Sequence, residues 1–129
     1  MTLIRDLGPE DVGALRMIHA RQGINYAFPD LSDALFFVKK VKVEEGRIVG
    51  AGVLKLCAEA MLLLEPERRP QDKMKTMRQL QAAVLEEARA RGLDEVHAAI
   101  PEIGFDRRLA QLGWEKDRPG WHLWTRRTR

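Results

Sequence analysis

Between Pro66 and Gln79 the chain carries five cations, Arg68, Arg69, Lys73, Lys75 and Arg78, against two anions, Glu67 and Asp72. Met74, Met77, Leu80, Val84 and Ala88 recur there at three- and four-residue steps, so the cations stand where a loop turns into a helix. A helix start presents unpaired backbone N–H groups and positive potential to an anion, and side-chain charges around it add Coulomb attraction. Attracting an anion is the chemistry that suits this arrangement. The other reactive residue types stand singly. His19 falls on an expected helix and His97 on an expected strand, positions where one imidazole reads as hydrogen-bonded structure. Cys57 is the one cysteine and reads as a buried apolar thiol in a reducing compartment, with no Cys/His spacing of a structural zinc site anywhere. Tyr26, Trp114, Trp121 and Trp124 read as packing residues, as does the Met74/Met77 pair.

The elements that position these residues belong to a chain of 129 residues, 45% hydrophobic and 32% charged, with a net charge of +3. That profile suits one domain over residues 1–129, large enough to bury a core without disulfides. The opening residues MTLIRDLGPEDV carry charge where a signal peptide needs an apolar run, and no apolar stretch approaches ~18 residues. A cytoplasmic protein without membrane association is the expectation. From Phe105 to Arg129 seven cations face three anions, but acids interrupt the basic residues and no nucleic-acid motif occurs, which argues against DNA or RNA as a partner. Neither an internal repeat nor a low-complexity segment is present.

Thr2 to Asp6 predicts a strand, and Gly8-Pro9-Glu10-Asp11 a turn into a helix. A second, shorter helix is expected from Asp30 to Phe36, started by Pro29. The alternation of Val38, Val41 and Val43 with lysines predicts a half-buried strand to Glu45, then a tight turn at Glu45-Gly46-Arg47 and a return strand from Ile48 to Leu56. A turn near Ala58-Glu59 leads to the apolar run Met61 to Leu64, which suits a central strand. The periodic segment predicts a helix over about Gln71 to Arg91, stopped by Gly92. A strand over Leu93 to Ile100, a helix over Ile103 to Leu112 and a last strand over Trp121 to Arg126 complete the chain. The order β-α-α-β-β-β-α-β-α-β gives an α/β (α+β) fold with a mixed central sheet and helices on both faces.

Three phrases in that order resemble the GNAT superfamily of N-acyltransferases: Gly46-Arg47-Ile48-Val49-Gly50, then Leu62-Leu63-Leu64-Glu65-Pro66-Glu67-Arg68-Arg69 running into the long helix, then Phe105 to Trp114. The resemblance implies a GNAT-like domain binding acetyl-CoA between two splayed parallel strands, Met61 to Glu65 and Val96 to Ile100. It implies backbone bonds from Leu63 and Leu64 to the acyl and pantetheine groups, and a pyrophosphate site made by Arg68, Arg69, Lys73, Lys75 and Thr76. The acetyl group would pass by direct attack to an amine of a small molecule or protein, with Glu65 or Glu59 taking the amine proton. The other reading of Glu65 is a cap of the following helix or an ion pair with Arg68 or Arg69. A homodimer through the last strand would also be in keeping with the family.

Two positions depart from the family pattern. The phosphate loop of relatives is glycine-rich, whereas no glycine lies between Gly52 and Gly92 and Pro70 removes a backbone donor. The tyrosine that protonates the leaving thiolate is replaced by Leu109. These departures support the alternative expectation, a catalytically inactive GNAT-fold module for binding or protein interaction.

Overall fold

Asp11 fixes how the first elements meet. β1 (Thr2–Asp6) leads through a 3₁₀ turn at Pro9–Asp11 into α1 (Val12–Gln22), with Pro9 at the first position of the turn, where its missing N–H costs nothing. The Asp11 side chain is buried. It accepts a fork from the Arg5 guanidinium, Nη1 to Oδ2 at 2.7 Å and Nη2 to Oδ1 at 2.9 Å, and a third bond from the Gly8 N–H at 2.8 Å. A buried carboxylate is tolerable only when its lone pairs are filled in this way. The Arg5 hydrogen bond, then that from Gly8, pull its pKa down to about 2. α1 ends at Gly23, whose φ of 66° is the left-handed conformation glycine adopts without strain.

The computed structural model describes residues 1–99, 106–116 and 123–128, and the chain falls into two compact units, Met1–Ala99 and Ile100–Arg129. In the first unit, β1, β2 (Phe36–Glu44) and β3 (Arg47–Lys55) form an antiparallel sheet in sequence order. The β2–β3 hairpin turns on Glu45 and Gly46, both at positive φ, as the right-handed twist of a two-residue loop demands. Register places Arg5 opposite Val41 and Leu3 opposite Val43. Val41 is 1% exposed and clusters with Leu15 of α1 and Leu31, flanked by Ile18, Phe28, Val43, Ile48 and Val53.

Leu31 reaches that core from a segment with no helix, so the expected helix over Asp30 to Phe36 does not form. Asp30 Oδ1 accepts from the Ser32 N–H at 3.1 Å and the Ser32 hydroxyl at 2.5 Å, and Asp33 Oδ1 accepts from the Leu35 N–H at 2.9 Å. These local side-chain bonds offer the backbone an alternative to helical ones and turn the chain twice instead. Lys39 then donates from Nζ to the Leu31 carbonyl at 2.8 Å, tying the turns to β2.

After β3 the chain makes β4 (Ala58–Glu59), then α2 (Pro70–Ala90), then β5 (Val96–His97), and β4 and β5 pair in parallel. The expected strand over Met61 to Leu64 is therefore displaced toward the N-terminus. Beyond the bond from the Ala60 N–H to the His97 carbonyl at 2.7 Å, residues 61–65 enter no ladder among the described residues, and Met61 and Leu63 are exposed. An apolar run becomes a central strand only where a partner continues beside it, and β5 ends at His97. The strand expected over Leu93 to Ile100 is correspondingly short, and Ile100 lies outside the described residues. α2 closes as a Schellman motif: Gly92, at φ 83°, donates to the Arg89 carbonyl, and Leu93 donates to that of Ala88, each at 3.0 Å.

In the second unit α3 (Asp106–Gln111) ends in the same motif around Gly113, with Trp114 donating to the Leu109 carbonyl at 3.0 Å. Residues 103–105 of the expected helix lie outside the described residues, as do Trp121 and His122 of the expected last strand. Residues 123–126 carry no strand. Leu123 and Trp124 are exposed, so Trp124 is not the packing residue its type suggests. The described elements are thus a mixed α+β set, with one antiparallel sheet, one short parallel pair and three helices, and they match the expected ten-element order only in part.

Because the pKa of Asp11 lies below that of a free aspartate, near ~3.9, its ionised form contributes stability in full above about pH 4 and loses it as pH falls toward 2. Asp11→Asn should lower the Tm at pH 7 by several degrees and flatten the loss of Tm between about pH 4 and pH 2. Thermal unfolding followed by circular dichroism checks this, and parallel pH slopes in the two proteins would refute the coupling.

Candidate ligand and acid-base site

The parallel pair sets Glu59 directly beside His97 in register, on strands about 4.8 Å apart. Glu95 lies two residues before His97, its Oε2 3.2 Å from the His97 Nε2. The other oxygen of Glu95 faces Lys55 Nζ at 3.3 Å, and Asp94 Oδ2 lies 3.1 Å from the same ammonium. Lys55 is the last residue of β3, so its charge ties the antiparallel sheet to the strand that carries His97. Burial of that ammonium pushes its pKa down, but its hydrogen bonds to Asp94 and Glu95 outweigh the burial and the net shift is upward. Phe36 lies under the same ammonium at 5.9 Å, a cation–π contact at the edge of the useful range.

The second half of the candidate site is the start of α2. Arg69 holds the N-cap position without capping through its side chain, and Pro70 is the first helical residue. The earliest backbone bond of the helix runs from the Lys73 N–H to the Arg69 carbonyl at 3.0 Å. The N–H groups of Gln71 and Asp72 therefore point out of the helix end, the disposition that suits an anion. Arg69 Nε bonds Asp72 Oδ2 at 3.0 Å, and Arg68 Nη2 stands 4.0 Å from the same oxygen. One carboxylate thus holds both arginines at the helix end. Lys75 and Thr76 are exposed, and Lys73 is half-buried.

Of the residues singled out from sequence, Glu59 lies on β4, Arg68 and Arg69 immediately precede α2, and Lys73, Lys75 and Thr76 lie in its first two turns. Leu63 and Leu64 do not lie on a strand, and Leu63 is 91% exposed. Glu65 sits in the irregular segment between β4 and α2, where its carbonyl receives the Arg68 N–H at 3.5 Å. It is not the N-cap of α2, and the two arginines pair with Asp72 instead. Cys57 is exposed, which overturns its reading as a buried thiol. His19 lies edge-on to Tyr26 at 5.4 Å and to Phe28 at 5.6 Å between ring centres, a packed position, but its buried Nε2 has no hydrogen-bond partner among the described residues, so the expected hydrogen-bonded imidazole is corrected to a packed one. Lys55, Asp94 and Glu95 are not legible as a group in the sequence, because a lysine and an acidic pair about forty residues apart become neighbours only once the register of β5 is known.

Among the described residues no group of His, Cys, Asp and Glu is disposed to hold a metal ion, and no helix is long and apolar enough to cross a membrane. No family model and no curated protein matches the chain. Among solved structures the chain is similar to a predicted acetyltransferase with acetyl-CoA from Clostridium acetobutylicum, at 16% identity and a TM-score of 0.38, over 95% of this chain and 96% of that one. A TM-score of that size does not establish a shared fold, and the chemistry of the site rests on this chain's own residues.

Since Asp72 holds Arg68 and Arg69, removing its charge frees both. Asp72→Asn should tighten the binding of inorganic pyrophosphate by about two- to fivefold at low salt, the gain from releasing exposed ion pairs of ~0.2–1 kcal/mol. The gain should shrink as salt is raised. Isothermal titration measures it, and an unchanged affinity would show that these cations do not face the anion.

Proposed function

We propose that the chain is an acyl-CoA-dependent N-acetyltransferase that passes an acetyl group to an amine by direct attack. The observation that carries this reading is the β4–α2–β5 unit. It is a parallel strand pair joined through a helix that Arg68 and Arg69 precede and whose first two turns carry Lys73 and Lys75. In parallel sheets ligands sit beyond the carboxyl ends of the strands, beside the N-terminus of the connecting helix.

When bound, acetyl-CoA supplies an acetyl group activated as a thioester. The residues of this chain that would hold its phosphates are the cations at the start of α2 and Thr76, with Leu63 and Leu64 along its path from β4. Side-chain charge would stand in for the backbone approach that glycines give elsewhere, since the helix begins on Pro70. Glu59, on the strand, is the carboxylate placed to draw an ammonium acceptor toward the pair, and Glu65 lies farther along the same path. No covalent intermediate is needed, so Cys57 has no nucleophilic part.

A second reading is favoured by Pro70 at the helix start and Leu109 in α3: an inactive module of the same shape that binds a ligand or a protein. A thermal-shift titration separates the two in part. Acetyl-CoA at about one hundred times its Kd should stabilise the fold by ~2.7 kcal/mol, a rise of several degrees. Arg69→Ala combined with Lys73→Ala should abolish the rise. No shift with millimolar acetyl-CoA would exclude the acyltransferase.

A further inference from the structure

We propose that β1 is a docking edge for a second copy of this chain, the two β1 strands pairing antiparallel about a two-fold axis at Ile4. The register of β1 on β2 decides which backbone groups are left for a second strand. The Glu45 N–H donates to the Met1 carbonyl and the Leu7 N–H to the Lys39 carbonyl, each at 3.1 Å. Both pairs continue the register that sets Leu3 opposite Val43 and Arg5 opposite Val41. In an antiparallel ladder a residue turns its N–H and C=O to one side, and its chain neighbours turn theirs to the other. Leu3 and Arg5 therefore bond β2, while Thr2, Ile4 and Asp6 turn their main-chain groups outward. Among the described residues β1 pairs with β2 alone. The Asp6 carbonyl accepts from Arg5 Nη1 at 3.0 Å and keeps a second lone pair.

Edge strands are normally blunted by proline, a bulge, a charge or a covering element. β1 contains no proline, and its register with β2 is unbroken. Its two charges are engaged within the protomer, Arg5 with Asp11 and Asp6 with Lys40. No β1 residue joins the apolar cluster that α1 covers, and Ile4 is 67% exposed. A two-fold at Ile4 sets Ile4 against Ile4 of the second copy and Thr2 against its Asp6, as bonded pairs that each exchange two main-chain hydrogen bonds. The Thr2 hydroxyl then faces a carboxylate, and no two like charges stand directly opposite. The other edge, β3, does not suit a second copy. The same operation about Ala51 sets Arg47 against Lys55, and Gly50 and Gly52 weaken the strand. Residues 123–126, expected to offer a pairing edge, carry no strand. The self-complementarity of β1 thus names the occupant. The product is one antiparallel sheet in the order β3-β2-β1-β1-β2-β3, and it does not depend on the acetyltransferase reading.

Five residues a side bury less than the ~1,200 Å² of a standard interface, so the dimer should be weak, with a Kd of about 10–500 µM. Sedimentation of the full chain should rise from the 14.8 kDa of one chain toward twice that mass as concentration is raised through this range. Over the same series, ¹⁵N–¹H spectra should shift chiefly at residues 2–6, and the amides of Thr2, Ile4 and Asp6 should gain protection from exchange. Ile4→Lys sets two ammoniums against each other at the axis. It should stay monomeric throughout, with the circular dichroism and Tm of dilute wild type, because Ile4 lies outside the core cluster. Ile4→Val, uncharged and β-branched, should still dimerise. A wild-type chain that remains monomeric at about 1 mM, well above that Kd, overturns the proposal. So does a dimer that persists in Ile4→Lys, or one whose spectral shifts fall outside β1.

Discussion

The Asp11 carboxylate organises the first ninety-nine residues more than any apolar contact does. Held out of water by three bonds from Arg5 and Gly8, it joins the end of β1 to the start of α1 and so decides the angle at which the helix meets the sheet. Across that joint Leu15 and Ile18 pack in one cluster with Val41, Val43 and Ile48. A buried charge with a full set of partners is a demanding arrangement, since removing one partner leaves the other stranded. The small core of Leu15, Leu31 and Val41 is therefore arranged around a polar joint.

Much of this was legible in the residues. Pro9 with Glu10 and Asp11 marks the entry to α1, the Val and Lys alternation marks β2, Glu45-Gly46 marks the hairpin, and Gly92 marks the end of α2, because each signal is local. The failures share a cause as well. Asp30 and Asp33 each bond the backbone two residues on, and that competition defeats a helix that Pro29 and the apolar spacing invite. The run Met61 to Leu64 looks like a strand by composition, yet pairing depends on a partner thirty or more residues away, which composition does not encode. The candidate site divides along the same line. Its cations were visible as a local charge excess, whereas the link from Lys55 through Glu95 to His97 exists only by virtue of tertiary register.

The two halves of the site differ in electrostatic character. At the start of α2 a single carboxylate, Asp72, restrains two exposed arginines, so the positive field there is partly neutralised within the protein and strongly open to screening by salt. Around Lys55 the charges lie closer to the body of the fold and alternate in sign from Asp94 through Lys55 to Glu95. Alternation of that kind fixes orientation better than it supplies net field.

The parallel pair of β4 and β5 closes a long loop with only two residues on each strand. Loop closure of this kind carries an entropy cost that grows with the logarithm of the loop, ~3 kcal/mol for a flexible loop of a few tens of residues, and few ladder bonds are available to offset it. Local opening free energies in such a region lie far below that of the hairpin, whose strands are joined by a two-residue turn. Of the paired strands, β4 and β5 should therefore exchange their amide hydrogens with solvent before those of the hairpin, whose contacts are local in sequence. A ligand lying across the pair would act as a clasp, and the order of the site would become a property of the complex as much as of the chain.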